Sequence, residues 1–161
     1  MRDLLVTFRN LLFLLIFIFL VFNFFIGVMM APNDDMRPRI SAGDFLCYYR
    51  LNSDYVMKNA VVFEKNDTTY IGRIVATPGQ TVEVTKEENL VVDGNTVIDD
   101  MIFYKTPQYQ GFVTYPLTLG SDEYFILGDK REGAEDSRYF GPVKKDEIKG
   151  LLIGQFRKDG I

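Results

Sequence analysis

The apolar residues of this chain crowd toward its start. Residues 11–30 read LLFLLIFIFLVFNFFIGVMM, twenty residues with one polar side chain, Asn23, and no charge. At ~1.5 Å per residue a helix of that length reaches about 30 Å, the thickness of a hydrocarbon core. A helix in a globular core keeps a polar face; this run has none. It predicts a membrane anchor over residues 11–31, preceded by a short segment, 1–10. A cleaved signal peptide is the competing reading. Its apolar core is ordinarily about 7–15 residues long and ends on a small-x-small site. The exit here, Val28-Met29-Met30-Ala31, matches that poorly. Arg2 and Arg9 precede the run, so the positive-inside rule places residues 1–10 in the cytoplasm and 32–161 outside the cell.

Beyond residue 31 the pattern changes to short β-rich runs between turn signals, without a long helical period. Strands are predicted at 44–49, 60–63, 69–76, 81–84, 90–92, 95–98, 111–114, 123–127 and 150–156. Asp93-Gly94 is a hairpin signal of the type I′ kind, and Pro78-Gly79 marks another turn. Residues 144–149 read as one turn of helix and 106–119 as the most loop-like stretch. Asn66-Asp67-Thr68 is formally a glycosylation sequon and reads as a polar turn. The fold class expected is mainly β: one exterior domain at 32–161, large enough for a single core, behind one N-terminal transmembrane helix.

Charge and composition then narrow the chemistry. The chain has 161 residues, 18 basic and 22 acidic, for a net charge of -4. That balance argues against a nucleic-acid partner. Past the anchor the net is -5, which does not suggest a polybasic lipid binder. The absence of histidine removes a Ser-His-Asp triad, a Cys-His dyad and a His-ligated metal. Cys47 is the single cysteine, so there is no intrachain disulfide; it reads as a small core residue. No metal or other cofactor is expected. Asp34-Asp35 without further ligands is a weak metal site.

Three segments fall in a recognisable order. The first is Asp34-Asp35-Met36-Arg37-Pro38-Arg39-Ile40, with Gly43-Asp44 after it. The second is Tyr70-Ile71-Gly72-Arg73-Ile74-Val75-Ala76-Thr77-Pro78-Gly79. The third is Gly128-Asp129-Lys130-Arg131, then Asp136-Ser137-Arg138-Tyr139-Phe140-Gly141-Pro142-Val143. Together with the anchor they resemble the type I signal peptidase family. Its boxes run Ser-Met-x-Pro-Thr-Leu, Lys-Arg-x-x-x-x-Pro-Gly, and Gly-Asp-Asn-Arg followed by a spacer and Asp-Ser-Arg. The likeness covers essentially the whole chain.

The resemblance implies a serine nucleophile and a lysine base whose pKa is depressed by burial. In register, Asp35 stands at the serine, Gly72 at the lysine, Arg39 at the threonine of the first box, and Ala134 at the supporting serine of the third. A degenerate member is expected, with neither half of the dyad and no intact catalytic residue. It is similar to the signal-peptidase-like pilus assembly factors of Gram-positive streptococci. That likeness implies a non-catalytic accessory or chaperone for an extended polypeptide client, such as a pilin subunit, working beside a sortase. Asp35, Met36, Pro38, Gly72 and Arg73 are then the expected client-binding residues, with Gly72 widening the groove and Asp35 favouring a basic or hydrogen-bond-donating group. Gly128, Asp129, Arg131, Asp136, Ser137 and Arg138 are the expected structural motif, the two aspartates contacting Arg131 and Arg138. Two other readings stay open. One is an active signal endopeptidase with an atypical aspartate mechanism using Asp34, Asp35, Asp129 or Asp136. The other is a structural membrane-assembly protein.

The anchor reading has a direct check. Protein isolated from membranes is expected to keep residues 1–30 when its N-terminus is sequenced; a mature chain starting near Ala31 overturns it.

Overall fold

In the computed structural model, residues 2–97, 104–109 and 111–157 are described. The first element is a helix, α1 (Arg2–Leu20), continued by a π-helical turn over Val21–Phe25. Together they make an apolar helix, Arg2–Phe25, of 24 residues, long enough to cross a membrane by length and composition. None of its residues is buried.

The helix ends five residues before the apolar run does. Ile26–Met30 forms strand β1, antiparallel to β2 (Phe45–Tyr49), with Ile26 opposite Tyr49 and Met30 opposite Phe45. The apolar helix thus ends short of the span expected over 11–31, whose residues 26–30 are strand. An apolar run satisfies lipid and sheet alike, and hydropathy does not separate them. What separates them is Gly27: a Cβ there would lie 2.0 Å from Cζ of Tyr48. Tyr48 also covers Gly150, where a Cβ would lie 2.7 Å from its Cδ2. The ring occupies the space that two missing side chains leave across three adjacent strands.

The remaining strands are β3 (Ala60–Lys65), β4 (Thr68–Ala76), β5 (Thr81–Val84), β6 (Leu90–Val92), β7 (Asn95–Thr96), β8 (Leu117–Thr118), β9 (Glu123–Leu127), β10 (Val143–Lys144) and β11 (Ile148–Phe156). A short helix, α2 (Ser137–Phe140), and a 3-10 turn at Lys145–Glu147 lie among them. The larger sheet has seven strands in the order β1-β2-β11-β3-β4-β9-β10, the smaller four in the order β7-β6-β5-β8. Every pairing is antiparallel.

Sequence and structure agree on β5, β6 and β9 to the residue. The β3–β4 turn is the polar Asn66-Asp67, both with positive φ, and the β6–β7 turn is Asp93-Gly94, with φ of 50° and 77°. The last predicted residue of 95–98 lies outside the described residues. Residues 111–114 form a turn and no strand. The helical turn expected at 144–149 is the 3-10 turn, three residues long. Strands β8 and β10, two residues each, are too short to carry an alternation.

Around β3, β4 and β9 both faces of the large sheet are covered. Val61, Phe63, Ile74 and Ile126 pack on one side. Val62 and Ile71 pack with Met36, Ile40, Leu46 and Tyr48. Val75, Ala76, Phe125 and Leu127 meet the small sheet through Val82, Val84, Leu90 and Val92. Two-sided burial explains why these strands read as unbroken apolar runs. Cys47 is half-buried in β2.

Gly27→Ala is expected to push Tyr48 off the sheet and destabilise the domain by about 1–3 kcal/mol, the usual range for overpacking. Denaturant unfolding of the full chain in detergent measures it; an unchanged midpoint refutes the role given to Gly27.

Candidate functional site

The site forms where two loops meet at the end of β9. One follows β1. It winds into a helical turn in which the Arg37 amide donates to the Asp34 carbonyl at 3.1 Å and the Ile40 amide to the Met36 carbonyl at 3.0 Å. Asp34 caps the return of this loop, accepting from the Ala42 amide at 2.9 Å and pairing with Arg37 at 3.0 Å. Asp44 is buried and accepts from the Ser41 amide and the Gln155 side chain. The other loop is residues 128–138.

Gly128 is where they touch. A Cβ on it would lie 2.8 Å from the Asp35 carbonyl oxygen and 2.8 Å from Cβ of Ala134. The Lys130 amide donates to the same Asp35 carbonyl at 2.9 Å. No residue larger than glycine fits without parting the loops.

Buried charge holds the second loop. Asp136 accepts from Nε of Arg138 at 2.9 Å and from its terminal nitrogen at 2.7 Å. The same carboxylate caps α2 through the Arg138 amide, 3.1 Å, and takes the Gly128 amide at 3.0 Å. Arg138 is 0% exposed and donates its remaining terminal nitrogen to the Pro107 carbonyl at 3.1 Å. Burial works against its charge, but the hydrogen bonds and negative charge of Asp136 prevail and raise its pKa further above the ordinary arginine range. Ser137 is buried, its hydroxyl accepting from the Ile126 amide at 2.9 Å. Asp129 is held by Arg73, with contacts of 2.8 Å and 2.6 Å. Its ion-pair partner is thus Arg73 of the second segment, where the sequence reading had looked to Arg131. Arg131 is buried and reaches Thr106.

Asp35 differs from the other aspartates. It is half-buried, and the Asn33 side-chain amide donates to it at 2.8 Å. Burial raises its pKa above the usual carboxylate value; the nearby charges of Asp136 and Glu135 add to that, and the Glu135 amide and Lys130 oppose it.

Of the five expected client-binding residues, three are placed otherwise. Met36 is 1% exposed inside the core beneath the loop. Arg73 donates to Asp129 and to the Lys58 carbonyl. Gly72 is buried and widens nothing: a Cβ there would lie 2.5 Å from Cγ2 of Ile126, 3.2 Å from the Leu127 carbonyl and 3.3 Å from the Phe63 ring. Residue type was legible in each case; side-chain direction was not. Asp35 and the exposed Pro38 remain on the accessible side. Ala134 is buried against Gly128. Sequence reasoning passed over Asn33, Glu135 and Tyr70, whose hydroxyl donates to Glu135 at 3.2 Å. Their contacts cross between segments, and no local motif marks them. Among the described residues no group of His, Cys, Asp and Glu could hold a metal.

Two backbone edges of the large sheet have no paired strand among the described residues. Strand β1 ends the large sheet, and β9 pairs with β4 only from Arg73 onward, leaving residues 68–72 open on that side. Met29 of β1 and Ile71 of β4 belong to the same apolar cluster on one face of the sheet.

The family model described as signal peptidase, peptidase S26, matches residues 4–156. Signal peptidase I of Pseudomonas aeruginosa is 28% identical over 187 residues, covering 89% of this chain and 66% of the relative. The chain thus spans just under two thirds of that relative's length. Signal peptidase I P of Bacillus subtilis subsp. natto is 27% identical, covering 89% of this chain and 83% of its own. The crystal structure of a signal peptidase I from Enterococcus faecalis superposes with a TM-score of 0.54 at 27% identity, over 63% of this chain and 98% of that one.

The closure around Gly72 yields a double-mutant test. Gly72→Lys is expected to cost about 1–3 kcal/mol through overpacking, and Ile126→Ala in the same chain to relieve part of it. Additive losses in denaturant unfolding would show that the two sites do not touch.

Proposed function

The chain belongs to the signal peptidase family, peptidase S26, and from that premise we propose that it holds an extended polypeptide client without cutting it. Its relatives are named as signal peptidases, and the difference proposed here lies in two residues. One observation carries the reading. Where the resemblance places the lysine base stands Gly72, buried, with Ile126 and Phe63 in the space a side chain would enter. No amine is present there to take a proton from a nucleophile. At the nucleophile position Asp35 offers a carboxylate, whose attack on a peptide would give a mixed anhydride, uphill from an amide.

The ion pairs count against an aspartate mechanism. Two carboxylates that share a proton need environments that tolerate the neutral form. Asp129 and Asp136 each face a guanidinium whose hydrogen bonds engage both carboxylate oxygens. Asp34 is committed to Arg37 and the Ala42 amide. Asp35 is left without a second aspartate in that role.

Holding a client needs neither serine nor lysine. The outer edge of β1 and residues 68–72 of β4, which β9 leaves unpaired, offer backbone donors and acceptors, the features an added strand uses. We take α1 as the membrane anchor, with the N-terminus in the cytoplasm and the β domain outside. The client class proposed is a pilin subunit, with a sortase as the enzyme that joins it; both rest on the family resemblance.

The purified full chain in nanodiscs, mixed with a preprotein, is expected to leave it intact, while Pseudomonas aeruginosa signal peptidase I run in parallel cleaves the same preprotein. Cleavage that disappears in Asp35→Asn would overturn this reading in favour of the aspartate mechanism. A photo-crosslinking residue at Thr69, on the open half of β4, is expected to trap a pilin subunit. Trapping at Glu83 of the small sheet and not at Thr69 would place the client elsewhere.

A further inference from the structure

A second hollow opens beside the site, about 420 Å³ in volume and lined by Gln108, Tyr109, Phe112, Ala134, Glu135 and Tyr139. Its walls come from residues 108, 109 and 112 and from 133–135, with Tyr139 added by α2. It shares Ala134 and Glu135 with the Asp35 neighbourhood. The volume falls in the range of sites that take small ligands or single side chains.

The lining is chemically specific. The rings of Phe112 and Tyr139 lie 4.4 Å apart, tilted by 37°. Despite that contact Phe112 stays 55% exposed and Tyr139 45%. Two large rings in contact with each other and still half open to water form an uncovered aromatic surface. Glu135 is the one ionisable carboxylate on the described lining; it is exposed and accepts from the Tyr70 hydroxyl. Asp35 and Asp136 lie behind it, close enough that the charges of Glu135 and Asp136 are felt at Asp35. Three cations stand nearby, among them Arg131, which is buried and whose carbonyl accepts from the Tyr109 hydroxyl. Arg138 sits 4.4 Å under the Tyr109 ring, but it is fully buried and committed to Asp136 and the Pro107 carbonyl. Lys130 acts on Asp35 and is not part of the lining.

Electron-rich ring faces with a carboxylate at the rim are the surroundings that favour a cation over an apolar group of equal size. We propose that this hollow receives the cationic side chain, lysine or arginine, of the polypeptide held beside Asp35. The inference rests on the peptide-holding reading above and adds a selectivity that the reading does not contain. A methionine would cover the same rings but leave Glu135 unused. A glutamate would meet the negative charge of Glu135 at the rim. Arg138 already takes one face of Tyr109, so Phe112 and Tyr139 supply the rings for the incoming cation. Ring and carboxylate contacts at a half-open site correspond to about tenfold in affinity.

The test uses the full chain in nanodiscs and a set of short fluorescein-labelled Ala/Thr peptides, each with one lysine at a different position, plus the acetyl-lysine counterpart of each. In one register the lysine peptide is expected to bind about tenfold tighter than its acetylated twin. That preference is expected to shrink with added salt and to vanish in Glu135→Gln and in the double variant Phe112→Leu/Tyr139→Leu. Equal binding of the two peptides in every register overturns the hollow proposal and leaves the peptide-holding reading standing. If no peptide binds, that reading fails, and the hollow is decided separately. Nα-acetyl-lysine methyl ester is titrated against the chain carrying 4-fluorophenylalanine at position 112. A saturable fluorine shift that Glu135→Gln abolishes supports a cation site; no shift overturns it.

Discussion

Arg138 heads the protein's largest fully buried side chains, and much around the site follows from the need to answer its charge. A guanidinium cannot be released to water from that position, so Asp136 comes in with it and accepts two of its hydrogen bonds. Removing one partner of such a pair typically costs about 3–5 kcal/mol, because the other is left charged and dry. Asp136 then has two more lone pairs to satisfy; the Arg138 amide fills one and the Gly128 amide the other. That bond closes the loop 128–138 into a ring that starts and ends at β9. With the ring closed, Gly128 lies against Asp35 and the Lys130 amide points at the Asp35 carbonyl. Asp35 is therefore positioned by a buried ion pair in which its own side chain takes no part.

This division explains how a scaffold of this kind tolerates change at its reactive positions. Asp129 with Arg73, and Asp136 with Arg138, are tied into two or more elements each. Altering any of them strands a buried charge. Positions 35, 72 and 134 carry no such debt. Asp35 is half open to solvent and can keep part of its hydration. Gly72 and Ala134 present nothing polar that burial would penalise. Under the reading proposed above, the chemical half of the motif can change while the architectural half keeps its geometry.

What was legible in the sequence follows the same line. Strands β5, β6 and β9 were found because flanking turn residues mark their ends, and the Asp93-Gly94 hairpin because two consecutive positive φ values demand such residues. Strand β1 was hidden, since five apolar residues after a lipid-like run look like more of the run. Gly27 was the available sign, and its meaning depends on Tyr48, a residue on the next strand. The spacing of the three segments fixed which residues meet, but not which way they face. Met36 turns into the core while Asp35 turns out. The hollow of Tyr109, Phe112, Glu135 and Tyr139 had no local signature, because it exists only once a buried arginine has drawn two distant loops together.

The junction between α1 and β1 ties the site to the end of the apolar helix. Ten residues separate Phe25 from Asp35, and a chain spans at most about 3.6 Å per residue, so Asp35 lies within about 36 Å of the helix end. The end of β2 returns to the same point: the Arg50 amide donates to the Phe25 carbonyl at 2.9 Å. With α1 in a bilayer, the first hairpin of the sheet is rooted at the interface and cannot swing far from it. A client also tethered in that bilayer would then present its extended segment at a similar height. Tethering both partners to one surface raises their effective concentration without any added contact. A shallow groove with one charged selector beside it can then suffice, since backbone edges and a single cation subsite need to supply only the residual affinity.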